Sequence, residues 1–254
     1  MLLEQFYSND KAKKTLVNFL TDGRFPHTIL LEGEDGCGKL TFAHMTAAAL
    51  LCEQPLEQRP CGRCRNCKRV LSDPHPDVSV IGDEDKLKGF HIDRVRQLRA
   101  DAYIRPNEGG YKVYILRNIH NMTEQAQNAL LKIIEEPPAQ VVFLLTCNNR
   151  ARVLPTILSR AAVLPLSVCS VQECETALHT LEPQMTAERI AQAARLAHGN
   201  IGKARMILQD EGSLKLACDA QRIAQMVCVG QEFELLCCLQ EYTGNKKREE
   251  FLQY

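Results

Sequence analysis

The chain has 254 residues, enough for one large domain or two modest ones with a substantial core. Its 31 basic and 31 acidic residues cancel, which argues against a surface that is basic throughout and leaves room only for a local basic groove for nucleic acid. No apolar run reaches the roughly 18 residues that span a bilayer, and the N-terminus lacks the basic flank of a signal peptide. We therefore expect a cytoplasmic protein without a membrane partner.

Helices and strands are predicted to alternate over the first two thirds of the chain. Short apolar runs predict strands at 28–32, 112–116, 140–146 and 162–166. Apolar residues at helical spacing predict helices at 9–22, 39–51, 92–102 and 124–136, and the turn-rich stretch 52–78 is interpreted as an insertion. This alternation predicts an α/β fold in which helices cover both faces of a parallel sheet. Beyond residue 167 only helices are expected, broken near Pro183, Gly199 and Gly230.

A glycine-rich segment follows the first predicted strand. It contains Gly33, Gly36, Gly38 and Lys39 and matches G-x-x-x-x-G-K, in which backbone N–H groups surround a phosphate chain and the lysine meets its outer oxygens. The next residue of that motif is a Ser or Thr that binds Mg²⁺. Here it is Leu40, and Thr41 comes one position too late. A turn that merely joins strand to helix is the alternative. Descent from a nucleotide-binding loop is favoured, while ATP binding stays open and Mg²⁺ binding is not expected.

The end of the second predicted strand departs from a hydrolytic site. Enzymes with this loop usually place an acid there to hold Mg²⁺ and a Glu to activate water. This chain has Arg117 and Asn118 instead. A guanidinium would repel the metal ion, so we expect no ATP hydrolysis at the chain's own site. An ordinary strand end without catalytic ancestry predicts the same result.

Four of the 12 cysteines cluster inside the insertion, at Cys52, Cys61, Cys64 and Cys67. Four thiolates can surround one Zn²⁺ tetrahedrally and leave no open position, so the spacing predicts a structural zinc site. A redox or incidental cysteine cluster is the alternative. The arginines and lysines of the same stretch are expected to lower the pKa of these thiols. The other eight cysteines are scattered and are interpreted as packing residues.

The role of two basic features is not decided by spacing. Arg160, after Ser159, precedes the fourth predicted strand and is interpreted on spacing alone as a salt-bridged surface residue. Arg94, Arg96 and Arg99 share the predicted helix at 92–102. They fit either a contact with DNA phosphates or a solvated helix face.

Taken together, the residues resemble the AAA+ clamp-loader ATPases of bacterial DNA polymerase III. The glycine-rich segment and the four cysteines carry the likeness, together with the segments 24–27, 107–114, 128–132, 135–138 and 157–160. The resemblance implies an AAA+ nucleotide-binding-like domain at 1–166 with a zinc module at 52–67. It further implies a helical lid domain at 167–210 and the beginning of a C-terminal helical collar at 211–254, which is truncated here.

The resemblance also implies roles for single residues. The four clustered cysteines correspond to zinc ligands, and Asn148 corresponds to the polar "sensor 1" residue that faces the outer phosphate. Ser159 and Arg160 correspond to a motif whose arginine reaches into a neighbouring subunit's ATP site, where such a finger stabilises transition-state charge. The "sensor 2" arginine of the lid is missing near Gly199, with Lys203 a neighbouring cation.

The function implied by the resemblance is that of a clamp-loader subunit that does not hydrolyse ATP. Its partners would be gamma/tau-type and delta-type subunits, the sliding clamp and, through the assembled complex, primer–template DNA. Two alternatives are an active motor ATPase of the gamma/tau type and a zinc-dependent nucleic-acid-binding module. Arg117 and Asn118 speak against the first, and the neutral charge and the complete α/β scaffold against the second.

Overall fold

The computed structural model describes residues 2–72, 74–82, 92–108 and 110–229. The chain divides after Ser167 into two compact units, and each is described by itself. The predictions made for Gly230 and for the rest of the collar segment lie outside the described residues. Among the described residues, none of the helices has the length and apolar character that crossing a bilayer requires.

The first unit is a parallel five-stranded sheet with its connecting helices. The strands are β1 (Thr28–Glu32), β2 (Val78–Ile81), β3 (Lys112–Leu116), β4 (Val141–Cys147) and β5 (Ala162–Pro165). The helices are α1 (Asp10–Thr21), α2 (Lys39–Leu51), α3 (Arg65–Ser72), α4 (Ile92–Ala102), α5 (Glu124–Glu135) and α6 (Pro155–Leu158). The spatial order is β2-β3-β4-β1-β5, and every pair is parallel. The predicted α/β fold class is confirmed.

The centre of the sheet is apolar on both faces. β3 and β4 are buried along their whole length, as parallel strands covered by helices should be. Tyr114 of β3 and Phe143 of β4 are paired in the sheet, and their rings stack with centroids 5.5 Å apart. Leu145 pairs with Leu30 of β1 on one side and Leu116 of β3 on the other. The carboxyl ends of β1, β3 and β4 therefore lie side by side.

The sequence did not predict β2, α3 or the four-residue helix α6. β2 has four residues, contains Ser79 and lies at an edge of the sheet, where its side chains are only partly buried. A short, half-exposed strand lacks the apolar run that identified the others. α3 lies inside the stretch that was interpreted as a turn-rich insertion. Its strongly amphipathic residues cover only about two turns, too few to establish a helical period.

The described part of the second unit is helical, as expected. Its helices are α7 (Val171–Leu181), α8 (Ala187–Leu196), α9 (Ile201–Gln209) and α10 (Glu211–Val229). The first three begin at side-chain caps, Ser170, Thr186 and Asn200, whose oxygens accept hydrogen bonds from backbone N–H groups of the first turn. The break between α9 and α10 at Asp210 was not predicted. The assignment of this unit to a lid and a collar stays a prediction.

Candidate functional site

The predicted site residues meet at the carboxyl edge of the sheet. β1 leads into residues 33–39, called the glycine loop below. β3 leads into Arg117 and Asn118, and β4 ends one residue before Asn148. Because β4 lies between β1 and β3 and all three are parallel, these segments share one edge. Ligands of open parallel sheets bind at such edges.

The glycine loop has a backbone that requires glycine at several points. Gly36 and Gly38 have φ angles of 86° and 94°, which side chains rarely tolerate. A Cβ atom on Gly33 would collide with the backbone carbonyl of Leu166, and one on Gly38 would lie 2.9 Å from the ring of Phe6. The predicted strand–loop–helix geometry is present, with α2 beginning at Lys39 directly after Gly38.

Lys39 binds the glycine loop itself. Its side chain is only 7% exposed, and Nζ donates hydrogen bonds to the carbonyl oxygens of Gly33 (2.6 Å) and Glu34 (2.7 Å). Nζ also lies 3.4 Å from Oδ1 of Asp35. The ammonium group predicted to meet phosphate oxygens is thus surrounded by acceptors of its own loop.

Asp35 connects the loop to β4. Its Oδ2 accepts a hydrogen bond of 3.2 Å from Nδ2 of Asn148, while its Oδ1 faces Lys39. The Asp35 side chain is 72% exposed, so this contact lies at the mouth of the site and not inside it. One carboxylate therefore contacts both groups that the sequence assigns to the outer phosphate. Sequence reasoning identified Lys39 and Asn148 but missed Asp35, although it stands within the motif.

No acid follows β3 directly, at the position where a hydrolytic site would hold its metal ion. Asn118 adopts a left-handed conformation with φ 53°, and its backbone N–H donates to Oγ1 of Thr146. Arg117 follows β3 directly. Burial lowers the pKa of His44 on α2, and the positive charge of Arg117 lowers it further. A positive charge therefore acts on the helix that the glycine loop opens. Leu40 is partly buried and Thr41 is exposed.

The four clustered cysteines form a site suited to one metal ion. Cys52 directly follows α2, Cys67 lies on α3, and Cys61 and Cys64 come from the loop between the helices, which turns at Gly62 with φ 70°. All four Sγ atoms lie within 4.8 Å of one another, and Sγ of Cys61 is 3.9 Å from that of Cys67. Zinc bonds of about 2.3 Å in a tetrahedron place sulfur atoms about 3.8 Å apart. The four thiol donors and their spacing fit the tetrahedral coordination of one metal ion, with no open coordination position.

The thiols of this cluster differ in acidity. Burial raises the pKa of Cys52 and of Cys67. Burial also raises that of Cys61, but backbone N–H groups of Arg63 and Cys64 and neighbouring thiols outweigh it and bring the pKa to about 6. The expectation that basic side chains would lower the pKa of all these thiols was wrong. The dominant causes are burial and hydrogen bonds from backbone N–H groups and neighbouring thiols.

The cysteine module is attached to the sheet by a buried aspartate. Asp77, just before β2, is fully buried and accepts hydrogen bonds from the backbone N–H groups of Asn107 and Glu108. It also accepts one from Nδ2 of Asn107. Glu108 in turn forms an ion pair of 2.7 Å with Arg69 of α3. Asp77 thereby fixes the loop against which α3 rests, and no local sequence pattern predicted this.

Arg160 lies away from the glycine loop, just beyond α6. Its Nη1 donates to the carbonyl oxygen of Thr156 (3.1 Å) and to Oγ of Ser159 (3.2 Å). Its Nη2 forms an ion pair of 3.0 Å with Oε1 of Glu135, the last residue of α5. The Arg160 side chain is 41% exposed. The guanidinium group is therefore both held in place and open to solvent.

The arginines of α4 occupy its exposed face. Arg94, Arg96 and Arg99 are exposed, while Val95 and Leu98 are buried against the core. This arrangement permits both roles that the sequence left open.

A family model described as "DNA polymerase III, delta subunit" matches residues 8–170, more than half of the chain. The chain belongs to this family. Among curated proteins, it is 36% identical over 178 residues to DNA polymerase III subunit delta' of Pseudomonas aeruginosa, covering 68% of the chain and 53% of that protein. It is 30% identical over 217 residues to subunit delta' of Escherichia coli, covering 85% and 65%. The predicted resemblance is confirmed.

Other relatives set limits on the comparison. Subunit tau of Salmonella typhimurium is 34% identical over 180 residues, which cover 71% of the chain but 27% of that protein. The chain thus spans between a quarter and two thirds of the length of these relatives. Among solved structures, the RuvB Holliday junction branch migration motor of Thermotoga maritima matches with a TM-score of 0.54 at 16% identity, over 96% of the chain and 73% of that structure. This likeness supports the fold alone.

Proposed function

We propose that this chain is a clamp-loader subunit of a bacterial DNA polymerase III that does not hydrolyse ATP and supplies Arg160 to the ATP site of a neighbouring subunit. The observation that carries the proposal is the end of β3, where Arg117 and Asn118 stand at the sheet edge beside the glycine loop. A working site needs carboxylates there to hold Mg²⁺ and to orient water.

The glycine loop supports a silent site. Lys39 donates to two carbonyl oxygens of its own loop and faces Asp35, and Asp35 contacts Asn148 where an outer phosphate would bind. Mg²⁺ would find no hydroxyl ligand at Leu40. Nucleotide binding without turnover stays compatible with this geometry, because the backbone of the loop is intact.

The surroundings of Arg160 support a role in trans. Its guanidinium is exposed, yet three acceptors fix its direction. Arginine is always charged and suits phosphate recognition, and an arginine finger from a neighbouring protein is worth roughly 10³–10⁵ in rate in the best-studied GTPases. A subunit with an inactive site can therefore still be required for hydrolysis next door.

The cysteine module would hold one structural zinc ion through Cys52, Cys61, Cys64 and Cys67. The ion would fix the connection between α2 and α3, since the four donors come from the helix end, the loop and the second helix. Attachment of α3 through Arg69 and Glu108 argues against a free-standing nucleic-acid module. All four donors are protein groups, so no position is open for catalysis.

The partners follow from the relatives. Proteins named delta' and tau are subunits of DNA polymerase III, and we extend that assembly to this chain, with the sliding clamp and primer–template DNA reached through the complex. The exposed arginines of α4 are the candidate contact with DNA phosphates.

The test is an ATPase assay of the isolated chain and of the rebuilt complex. The isolated chain should show no turnover above background. Arg160→Ala in the full-length subunit should lower ATP hydrolysis by the complex at least tenfold while assembly is unchanged, because transition-state charge loses its partner. Arg152→Ala, at an exposed arginine shortly before α6, is the matched control and should have no effect. Equal rates for Arg160→Ala and wild type would remove the role in trans.

The motor ATPase stays the second candidate because a tau subunit matches at 34% identity. Robust Mg²⁺-dependent hydrolysis by the isolated chain would favour it. Hydrolysis lost on Lys39→Ala would assign that activity to the glycine loop and exclude a contaminating enzyme.

A further inference from the structure

Glu135 and Arg160 form an ion pair that joins two elements distant in the chain. Glu135 is the last residue of α5, and Arg160 follows the short helix α6. Their side chains are 45% and 41% exposed, and Oε1 lies 3.0 Å from Nη2. Exposed pairs of this kind add little to folding stability. Fold stability therefore does not explain the pair.

Glu135 is also poorly placed for helix stability. The C-terminal end of a helix carries partial negative charge, so a carboxylate on its last residue is unfavourable there. Glu136 comes next, and Pro137 and Pro138 end any continuation of the helix. An acid at this position stands against local preference, which suggests a use for its charge outside the helix.

Three acceptors orient the Arg160 guanidinium group through two of its nitrogen atoms. The carbonyl oxygen of Thr156 and Oγ of Ser159 both accept hydrogen bonds from Nη1. Because both residues are close to Arg160 in sequence, these bonds hold one edge of the guanidinium group against its own turn. Glu135 forms an ion pair with Nη2. Within the described part of the chain, it is the only charged acceptor that contacts this guanidinium group. A planar group bound at two of its nitrogens has a defined direction.

We propose that Glu135 is a positioning residue for Arg160, which holds the guanidinium in the direction that a neighbouring ATP site requires. The inference rests on the proposed function in trans, because it assigns to Glu135 an effect that passes entirely through Arg160. Holding the side chain in advance lowers the ordering cost when the arginine meets the phosphate. The consequence is a contribution to turnover and not to ATP affinity.

The experiment uses the full-length subunit rebuilt into the clamp-loader complex with clamp and primer–template DNA. Steady-state kcat and KM for ATP are measured for Glu135→Ala, Glu135→Gln, Arg160→Ala and the double variant. Glu136→Ala is the matched control, since Glu136 is exposed, adjacent and of the same charge, and forms no ion pair within the described ranges. Thermal midpoints of all variants show whether folding is disturbed.

Glu135→Ala should lower kcat about two- to fivefold with unchanged KM and an unchanged thermal midpoint, the range expected for losing one exposed ion pair. Glu135→Gln keeps an acceptor oxygen and should recover part of this loss. Glu136→Ala should match wild type. In the Arg160→Ala background, Glu135→Ala should cause no further loss, because its effect passes through the guanidinium.

Other outcomes overturn the inference and leave the proposed function separately testable. If Arg160→Ala lowers turnover but Glu135→Ala does not, the finger stands and the positioning role is wrong. An equal loss from Glu135→Ala with and without Arg160 would mean that Glu135 acts elsewhere. An increase in kcat would mean that Glu135 restrains the arginine instead of presenting it. Full activity of Arg160→Ala refutes the proposed function itself.

Discussion

Removal of the Asp35 carboxylate should strengthen binding of nucleoside triphosphate by the isolated chain. Asp35 contacts Asn148 at 3.2 Å and lies 3.4 Å from Lys39 Nζ. A terminal phosphate bound by the same two groups would need the space that the carboxylate occupies. The carboxylate is thus both a competitor for the donors and a like charge against the phosphate.

The size of the effect follows from charge and exposure. Two unit charges about 4 Å apart in water repel by about 1 kcal/mol, and a terminal phosphate carries roughly two charges. Since the Asp35 side chain is 72% exposed, the aqueous value applies, and salt reduces it further. We expect a gain of about 1–2 kcal/mol, or about 5- to 30-fold in Kd.

The assay is a calorimetric or fluorescence titration of ATP against wild type, Asp35→Ala and Asp35→Asn, with and without Mg²⁺. Asp35→Asn keeps the shape and removes the charge, so it separates repulsion from blockage. Glu34→Ala is the control, because Glu34 is an exposed acid of the same loop whose carbonyl oxygen, and not its carboxylate, contacts Lys39. Equal gains from Glu34→Ala would show that loop charge alone matters. Unchanged affinity in Asp35→Ala would refute the reasoning.

Three further outcomes are expected. Metal analysis should find about one zinc ion per chain. Cys64→Ser should lose the ion and lower the thermal midpoint. A stable, metal-free wild-type protein would contradict the structural zinc site. Asp77→Ala should reduce the free energy of unfolding by about 2–4 kcal/mol in urea titrations, because three hydrogen bonds to a buried carboxylate are lost; a change below 1 kcal/mol would refute this. Burial raises the pKa of Asp101, but hydrogen bonds from Tyr114 and Lys112 outweigh it and lower the pKa overall. Its stabilisation is therefore present above pH ~4 and lost as pH falls through the lowered pKa, so Asp101→Asn should flatten the acid limb of the stability profile; identical profiles would contradict this.

The sequence predicted those features that depend on local spacing. β3 and β4 were found because a strand buried on both faces is a continuous apolar run. The cysteine cluster was found because Cys61, Cys64 and Cys67 follow one another at intervals of three residues, a short distance after Cys52. β2 was not predicted, because a short edge strand with partly exposed side chains needs no continuous apolar run.

The contacts of the site could not be predicted in the same way. The ion pair between Glu135 and Arg160 depends on how α6 lies against α5, which no local pattern records. Asp77 reads as one acid among turn residues, and only the fold reveals that it is buried. Asp35 was visible within the motif, but its contact with Asn148 requires β1 and β4 to be neighbours.

The proposed function separates two tasks that an active motor subunit would combine. Hydrolysis in cis depends on charges at the carboxyl edge of the sheet. At this edge the chain has Arg117, and the carboxylate of Asp35 contacts Lys39 and Asn148. Assistance in trans depends on the turn after α6, where Arg160 is held by acceptors that the glycine loop does not share. Because the two regions share no charged group among the residues that the structure describes, changes at the first need not disturb the second. A fold can therefore lose its own ATP chemistry and keep the surface that serves a neighbour.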